Sequence, residues 1–452
     1  KPQTANRKPQ TANRKPQTVN RKPENGKRKT ENGNQPTNEP TNQRTNEPTN
    51  EPTPPVPLSL PPLSLYIHLP WCVAKCPYCD FNSHALIDDL PEQAYVDALM
   101  RDLELDLPRV WGRTVHSVFF GGGTPSLFSA DAIGSIIDGV SARLKLAPNA
   151  EITLEANPGT VEHDRFEAYR AAGVNRISLG VQTFDDSKLQ TLGRIHDGNQ
   201  ARAAIRAIKD AGFDNFNLDL MWALPGQTVD EAIADIDMAL EFDPPHISHY
   251  QLTIEPNTVF AARPPTLPDE ETVWTIQDAC GERLSAAGYQ NYEISAWAKP
   301  NRACRHNLNY WRFGDYLGIG AGASGKITLP AEEAVLRTRR KKIPHSWMTA
   351  AGDNSFIAEQ ELVAAEDLAF EYMLNRSRLA EPIPTAEFAA LTGLGFDALE
   401  PGLGRAIKSG LLERHEPVED ATPTDADQAG YLIRTERGAR FLNDLQGLFL
   451  PD

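Results

Sequence analysis

The sequence predicts an α/β protein with an open or partial barrel of six βα units, followed by a smaller carboxyl-terminal domain. From residue 63 onward, short β-rich apolar runs alternate with segments of helical periodicity, which is the pattern of right-handed βα units on a parallel sheet. Unusual polar residues end or follow nearly every run. In barrels of βα units the functional site lies at the carboxyl ends of the strands, so a barrel explains their position better than a flat sheet.

Six runs are predicted as strands and three of the segments between them as helices. The predicted helices are 92–107, 130–144 and 229–242. The predicted strands are 63–70, 116–123, 151–158, 176–183, 215–225 and 246–256. Helices of this length allow crossover connections, so we expect the strands to pair in parallel.

The 452 residues are enough for one large domain and a smaller one. Residues 1–60 are low-complexity repeats such as "KPQTANR", and their few apolar side chains cannot offset the entropy of ordering. We expect this tail to be disordered, with an interaction arm as the alternative.

We predict the core barrel over 61–300, a glycine- and aromatic-rich connection over 301–357, and a winged-helix-like domain of helices and a hairpin over 358–452.

Charge is distributed unevenly along the chain. Residues 1–60 contain eleven Lys or Arg and five Glu, a charge of +6, so the rest of the −16 chain carries −22. Such an acidic body repels phosphate backbones, which argues against nucleic acid as the main partner.

The five cysteines do not resemble a disulfide framework, and no apolar run is long enough to cross a bilayer. We therefore expect a cytoplasmic protein, while a homodimer and peripheral membrane contact stay open.

Three cysteines lie within eight residues in "CVAKCPYC", as Cys72, Cys76 and Cys79. Thiolates this close together are metal ligands far more often than structural thiols. Structural zinc requires four protein ligands, and His68 or His84 could supply the fourth. A [4Fe–4S] cluster usually takes four thiolates, so three thiolates leave one iron open. S-adenosylmethionine (SAM) can bind that iron through its amino and carboxylate groups, and ligand counting therefore favours the cluster over zinc.

The cysteine motif resembles the signature of the radical SAM superfamily, in which an aromatic residue, here Tyr78, precedes the third cysteine. The match continues through "GGGTPSLFS", "ITLEANPGTVE", "GVNRISLGVQTF", "FNLDLMWALPGQT", "YQLTIEPNT" and "HNLNYWRFGDYLGIG". Together these segments are similar to the radical SAM heme chaperones of the HemW family, which are relatives of the oxygen-independent coproporphyrinogen III oxidase. The resemblance covers residues 62 to 450, which is everything except the tail.

The resemblance implies two adjoining cofactor sites. Cys72, Cys76 and Cys79 would hold the [4Fe–4S] cluster. Carboxylates suit ribose hydroxyls, an arginine can pair with the methionine carboxylate, and glycines let a cofactor approach the backbone. For each polar side chain, an ordinary ion pair at the barrel mouth is the alternative. The SAM site would be formed by Tyr66, Tyr78, Gly122, Gly123, Thr124, Glu155, Gln182, Arg194 and Asp219.

The "HNLNYW" segment matches a family motif that makes His306 the candidate heme ligand. A lone histidine is more often a hydrogen-bonded core residue, but the family motif reverses this expectation, since neutral imidazole is a common axial ligand of heme iron. Tyr310 and Trp311 could offer flat apolar contact to a porphyrin. Cys304 is a weaker candidate ligand. Ser324 stands where the family commonly has histidine, and we assign it no role.

The family resemblance implies a protein that accepts heme and passes it to apo-hemoproteins such as respiratory enzymes. The alternative is an enzyme, the oxygen-independent oxidative decarboxylation of coproporphyrinogen III. That oxidase has a further cysteine two positions after the third ligand, where this chain has Phe81. Radical modification of RNA is a third class that shares the cluster motif, but it fits poorly with the acidic body and the lack of a recognisable RNA-binding module. The sequence leaves open whether the chain is an enzyme.

Overall fold

The computed structural model describes residues 58–160, 163–416 and 430–451. Nearly all of the tail predicted to be disordered lies outside these ranges, and only residues 58–60 are described. Leu58 is buried, and the backbone N–H of Ser59 donates to the carbonyl of Ala390 at 2.8 Å. The last residues of the predicted tail therefore pack against the carboxyl-terminal part of the chain.

The strands, in chain order, are β1 Leu63–Leu69, β2 Trp71–Cys72, β3 His84–Ala85, β4 Thr114–Gly122, β5 Lys145–Ala156, β6 Arg176–Gln182, β7 Phe216–Trp222, β8 His246–Gln251, β9 Gln290–Glu293, β10 Ala296–Ala298, β11 Asp315–Ile319, β12 Ser324–Leu329, β13 Ala334–Arg340, β14 Ile357–Leu362, β15 Ile383–Pro384, β16 Leu412–His415 and β17 Tyr431–Arg434.

The α-helices are α1 Glu92–Val110, α2 Ala130–Ser141, α3 His163–Ala171, α4 Asp186–Thr191, α5 Gly198–Asp210, α6 Val229–Glu241, α7 Val259–Ala262, α8 Glu270–Ala286, α9 Arg305–Trp311, α10 Pro344–Thr349, α11 Ala365–Arg376, α12 Thr385–Thr392, α13 Gly402–Lys408, α14 Glu436–Arg440 and α15 Leu442–Gly447. In the ranges that the structure describes, no helix is both long and apolar enough to cross a bilayer.

The main sheet has twelve strands in the order β14-β13-β12-β11-β1-β4-β5-β6-β7-β8-β10-β9. The six strands β1, β4, β5, β6, β7 and β8 pair in parallel with their neighbours, which confirms the predicted α/β fold class and the six parallel strands. β11 adds to β1 in parallel, and β12, β13 and β14 follow as antiparallel strands. At the opposite edge, β10 and β9 are antiparallel additions.

Alternation along the strands separates an apolar outer layer from a polar interior. On β1, Leu65 and Ile67 are fully buried in the main hydrophobic core, with helices packed over them. Because successive side chains on a strand point to opposite faces, Tyr66 and His68 face the interior of the barrel. The same alternation places Asp219 of β7 inside. The apolar face therefore stabilises the sheet, and the inner face is left for polar groups.

The helices begin where local sequence satisfies their free backbone N–H groups. α6 starts after a capping box in which the Thr228 side chain accepts from the Glu231 N–H and the Glu231 side chain accepts from the Thr228 N–H. Asp197 and Gln200 form the same reciprocal pair at α5. Each box satisfies two donors that the helix itself cannot satisfy.

The region after the barrel contains more sheet than a connection alone would have. Within 301–357, which was predicted as a connection, α9, β11, β12 and β13 occur, and β11 pairs directly with β1. The carboxyl-terminal part has its own core and a small sheet in the order β15-β17-β16, together with helices, as a winged-helix-like domain requires. The domain boundaries themselves remain a prediction.

A buried ion pair joins the first barrel helix to the added strands. Arg340 Nε donates to Asp102 Oδ1 at 2.7 Å, and neither side chain is exposed to solvent. The second oxygen of Asp102 accepts from the Gly320 N–H and from Trp347 Nε1, each at 3.0 Å. Gly320 belongs to the loop that lies against β1 and the segment after the cysteines, so this carboxylate fixes the structure beside the candidate site.

We expect Asp102→Asn to lower the free energy of unfolding by about 3 kcal/mol, because it removes one partner of a buried ion pair. Glu104→Gln on the same helix is the matched control, since its pair with Arg143 is partly exposed and such pairs contribute about 0–1 kcal/mol. Urea unfolding followed by circular dichroism measures both. Equal losses in the two variants would show that Asp102 has no special structural role.

Candidate functional site

The cysteine loop follows β1 and is held by backbone hydrogen bonds to the glycine turn at the end of β4. The Gly123 N–H donates to the Leu69 carbonyl at 2.8 Å, and the Thr124 N–H donates to the Trp71 carbonyl at 2.7 Å. Thr124 begins the connection to α2, so the turn and the cysteine loop share one rigid corner of the barrel.

This corner leaves no room for a side chain at either of two glycines. A Cβ on Gly123 would lie 2.5 Å from the Trp71 carbonyl oxygen, and one on Gly122 would lie 2.6 Å from the His68 ring. Gly122 also has φ +117°, in a region that other residues rarely adopt. Glycine at 122 and 123 is therefore a steric requirement for bringing the turn against the cysteine loop.

The corner opens into a cavity of about 400 Å³. Cys72, Cys76 and Cys79 are free thiols of intermediate exposure on its wall. The cavity also brings together eight of the nine residues predicted for the SAM site, which are Tyr78, Gly122, Gly123, Thr124, Glu155, Gln182, Arg194 and Asp219.

Two half-buried carboxyl groups, Glu155 and Asp219, line the cavity. Burial, reinforced by the nearby Asp219, raises the pKa of Glu155 to about 8. Burial also raises the pKa of Asp219, although hydrogen bonds from Asn217 and Ser178 oppose this. The charge of Arg176 also lowers the pKa of Asp219, but the balance for both carboxyl groups is a raised pKa, so a positively charged ligand would stabilise their ionised forms.

Arg194 connects the cysteine loop to β6. Its Nη1 donates to Cys76 Sγ at 3.5 Å, and its Nη2 donates to the Gly180 carbonyl at 2.9 Å and to Asn157 Oδ1. The neighbouring Gln182 ends β6 with φ +71°, a left-handed conformation that costs a non-glycine residue about 1–3 kcal/mol. This local strain is typical of residues whose side chains are held at a functional site.

Tyr66 lies deeper in the barrel than the other predicted SAM residues. Its hydroxyl hydrogen-bonds with His68 Nδ1 at 2.9 Å, and His68 Nε2 lies 2.9 Å from the Asn82 carbonyl oxygen. Both ring nitrogens of His68 are therefore engaged, which removes it as a fourth zinc ligand. Across the described ranges, no three His, Cys, Asp or Glu side chains are grouped so as to hold a single metal ion.

His306 lies away from the cavity, inside the barrel at the start of α9. Its ring stacks on Phe119 with the centroids 4.8 Å apart, and Tyr66 lies 6.2 Å away. Glu151 accepts from the N–H groups of Arg305 and His306 and so fixes the start of the helix. Burial and the charge of Arg176 lower the pKa of His306 to about 4. The imidazole is therefore neutral at pH 7, in the form that coordinates metals, and its enclosed Nδ1 has no partner among the described residues.

The remaining predicted residues occupy different environments. Cys304 is 1% exposed and its Sγ donates to Glu151 Oε1 at 3.5 Å. Burial raises the pKa of Cys304 to about 12, which keeps it a thiol. Phe81, in contrast, is 65% exposed and lies on the cavity wall. Ser324 begins β12, is exposed, and is not on that wall.

Several residues in or beside the cavity were not predicted from the sequence. Ser178 and Asn217 hold Asp219 by hydrogen bonds, and Asn157 donates to Thr124 Oγ1 at 3.0 Å. The alternation of side chains along β6 and β7 could have identified Ser178 and Asn217. Asn217 lies two residues before Asp219 on β7, and Ser178 lies four residues before Gln182 on β6, so each shares the inner face of its strand with a predicted site residue. Met221 and Tyr250 line the cavity as well.

Comparison with known proteins agrees with this geometry. Residues 66–239 match the radical SAM superfamily. The chain is 51% identical to the heme chaperone HemW of Escherichia coli over 395 residues, which cover 87% of this chain and 100% of that protein. It is 49% identical to HemW of Haemophilus influenzae, covering 87% and 99% of the two chains, and 35% identical to HemW of Mycobacterium tuberculosis, covering 79% and 90%.

A solved structure shows the same fold. The coproporphyrinogen III oxidase HemN of Escherichia coli, a radical SAM enzyme, superposes with a TM-score of 0.71 at 22% identity, covering 86% of this chain and 90% of that chain. A sequence identity of 22% supports a shared fold only. The curated relatives are far more similar, and the chain therefore belongs to the HemW family of the radical SAM superfamily.

Proposed function

We propose that this chain binds heme and passes it to apo-hemoproteins. The observation that carries the proposal is the 51% identity to a heme chaperone along that protein's whole length. The neutral imidazole of His306 supports it, because it can coordinate heme iron without first losing a proton. Heme and acceptor hemoproteins are the partners that this function requires, and a cytoplasmic location is part of the proposal.

The cavity fits the two cofactors that the radical SAM superfamily implies. The three thiols that line it match a [4Fe–4S] cluster with one iron left open, and the two carboxyl groups that line it suit a cationic cofactor. When bound, this pair can supply one-electron chemistry. In the proposal, Cys72, Cys76 and Cys79 hold the cluster.

The chain's other residues would position SAM. Gly122, Gly123 and Thr124 present bare backbone to it, while Glu155 and Asp219 accept hydrogen bonds from its polar groups. Arg194 keeps its place beside Cys76 and offers a cation for a carboxylate. Tyr78 and Gln182 complete the wall, whereas Tyr66 supports the site from below through His68.

The oxidase function is not favoured by the site. Phe81 occupies the cavity wall at the position where the oxidase has a cysteine, so a thiol expected for that chemistry is replaced by an apolar ring. The likeness to HemN extends to the fold, and the fold accommodates both functions.

Heme titration tests the proposed function. Heme added anaerobically to the cluster-reconstituted chain should bind stoichiometrically with a shifted Soret band. His306→Ala should weaken the binding or alter the band, because it removes the proposed axial ligand, while the exposed His345→Ala serves as the control. An unchanged His306→Ala variant would move the ligand elsewhere, with Cys304 next. A wild-type chain that binds no heme would rule out the function.

Cysteine substitutions test the cluster assignment. Replacing Cys72, Cys76 or Cys79 by alanine should each abolish most of the iron and acid-labile sulfide retained after reconstitution, because two thiolates hold a cluster poorly. Cys280→Ala is the matched control, since Cys280 is buried in the main core away from the cavity. Retention of a full cluster by any of the three variants would remove that residue from the ligand set.

SAM affinity should depend on pH through Glu155. Because its pKa is raised to about 8, the group is mostly protonated at pH 7, and a cationic ligand binds the carboxylate better than the acid. Affinity should therefore rise about tenfold between about pH 7 and about pH 9. Equilibrium dialysis measures it, Glu155→Gln should remove most of the rise, and Glu255→Gln on the same wall should retain it. A rise that survives Glu155→Gln would assign the titration to another group.

A further inference from the structure

Arg378 lies at the junction of the barrel and the carboxyl-terminal domain. Its backbone is fixed by the edge strand of the barrel, since the Ile294 N–H donates to the Arg378 carbonyl at 3.1 Å and Leu379 bridges to Glu293. Arg434 Nη1 donates to the same carbonyl at 3.3 Å. The backbone position of Arg378 is therefore fixed by contacts from β9 and its following turn and from β17.

The Arg378 guanidinium forms no ion pair and donates no hydrogen bond within the part of the chain that the structure describes, and its Nε is enclosed without a partner. Two nearby arginines, in contrast, donate to a carboxylate. Arg376 Nη1 donates to Glu381 Oε1 at 2.8 Å, and Arg312 contacts the same carboxylate through two hydrogen bonds. Burial lowers the pKa of Arg378, and the charge of the buried Glu293 opposes this shift although the two side chains form no ion pair. The guanidinium N–H groups therefore have no acceptor among the described residues, and a bound carboxylate would supply one.

The surroundings of Arg378 are aromatic and continue toward His306. The guanidinium carbon lies 4.4 Å from the centre of the Trp311 ring, and the enclosed Trp311 Nε1 has no acceptor among the residues that the structure describes. The Tyr310 ring is perpendicular to that of Trp311 at 4.8 Å. Tyr310 is four residues after His306 on α9, so the two share one face of the helix. Tyr250, on the wall of the cysteine cavity, is near enough to interact electrostatically with Arg378.

We propose that Arg378 is a ligand-specificity residue that binds a carboxylate of the heme, a propionate, while the aromatic face of α9 contacts the macrocycle. Heme combines a flat apolar ring with anionic arms, and the structure provides aromatic rings beside an unpaired guanidinium. Planar guanidinium is suited to carboxylate through two parallel N–H donors, and stacking on Trp311 leaves those edge donors free. This inference rests on the proposed heme function and adds to it a residue outside the motif that contains His306.

Comparison of heme with heme dimethyl ester tests the proposal, because the ester keeps the ring and the iron but has no carboxylates. Both are titrated anaerobically into the full chain after cluster reconstitution. The wild type should bind heme more tightly than the ester. Arg378→Gln should weaken heme binding by about tenfold to a hundredfold, the usual worth of a charge-assisted hydrogen bond, and should leave ester binding within about threefold.

Two further variants separate carboxylate recognition from general effects. Arg378→Lys keeps the charge without the planar donors, so it should retain an intermediate preference for heme. Arg312→Gln is the matched control, because this arginine adjoins Trp311 in sequence but is already paired with Glu381. It should keep the wild-type preference. If Arg378→Gln does not fold, by circular dichroism, the lysine variant and the control still decide the question.

The outcomes distinguish this inference from the proposed function. Equal affinity of the wild type for heme and the ester would overturn the inference and leave heme binding intact. The inference is also overturned if Arg378→Gln weakens the binding of heme and of the ester equally, or if Arg312→Gln loses the preference for heme over the ester. If the wild type binds neither ligand, the proposed function fails, and the inference fails with it.

Discussion

Two backbone hydrogen bonds, from Gly123 to Leu69 and from Thr124 to Trp71, hold together the corner on which the site depends. They bring the turn after β4 so close to the cysteine loop that even one added methyl group would collide with the Trp71 carbonyl. The three thiols consequently line the same cavity as the glycine turn and the carboxyl groups of Glu155 and Asp219. A parallel sheet makes this possible, because it places the ends of β1, β4, β5, β6 and β7 at the same edge.

The barrel interior holds two regions of opposite electrostatic character. Near the strand ends, Glu155 and Asp219 have raised pKa values and favour a cationic ligand. Farther inside, Arg176 is almost fully buried, and its charge helps to keep His306 neutral. Arg176 links the two regions, because its charge lowers the pKa of Asp219 as well as that of His306. The proposed heme contacts on α9 and at Arg378 lie outside the cysteine cavity.

Much of the barrel could be predicted from the sequence, because its strands and helices are continuous apolar patterns. α1, α2 and α6 begin at the predicted residues, and the six parallel strands lie at the predicted positions. The extension of the sheet by β11 to β14 could not be read in the same way, since the pairing of β11 with β1 joins residues about 250 positions apart and leaves no local periodicity. In the site, too, residues marked by a local pattern could be predicted and residues brought in by long-range packing could not. Eight of the nine predicted SAM residues meet at one cavity because strand ends converge, whereas Tyr66 and His306 do not line that cavity. Arg378 follows α11, with no motif to mark it.

The transfer of heme to an acceptor tests the central claim most directly. The chain, loaded anaerobically with one equivalent of heme, is mixed with a heme-free respiratory enzyme, and the loss of its Soret band is followed over time. A chaperone hands heme over through a complex, so the rate should rise with acceptor concentration and exceed the rate of release into an excess of a non-specific heme scavenger. A rate that is independent of the acceptor and equal to spontaneous release would contradict the account and leave only a heme-binding protein.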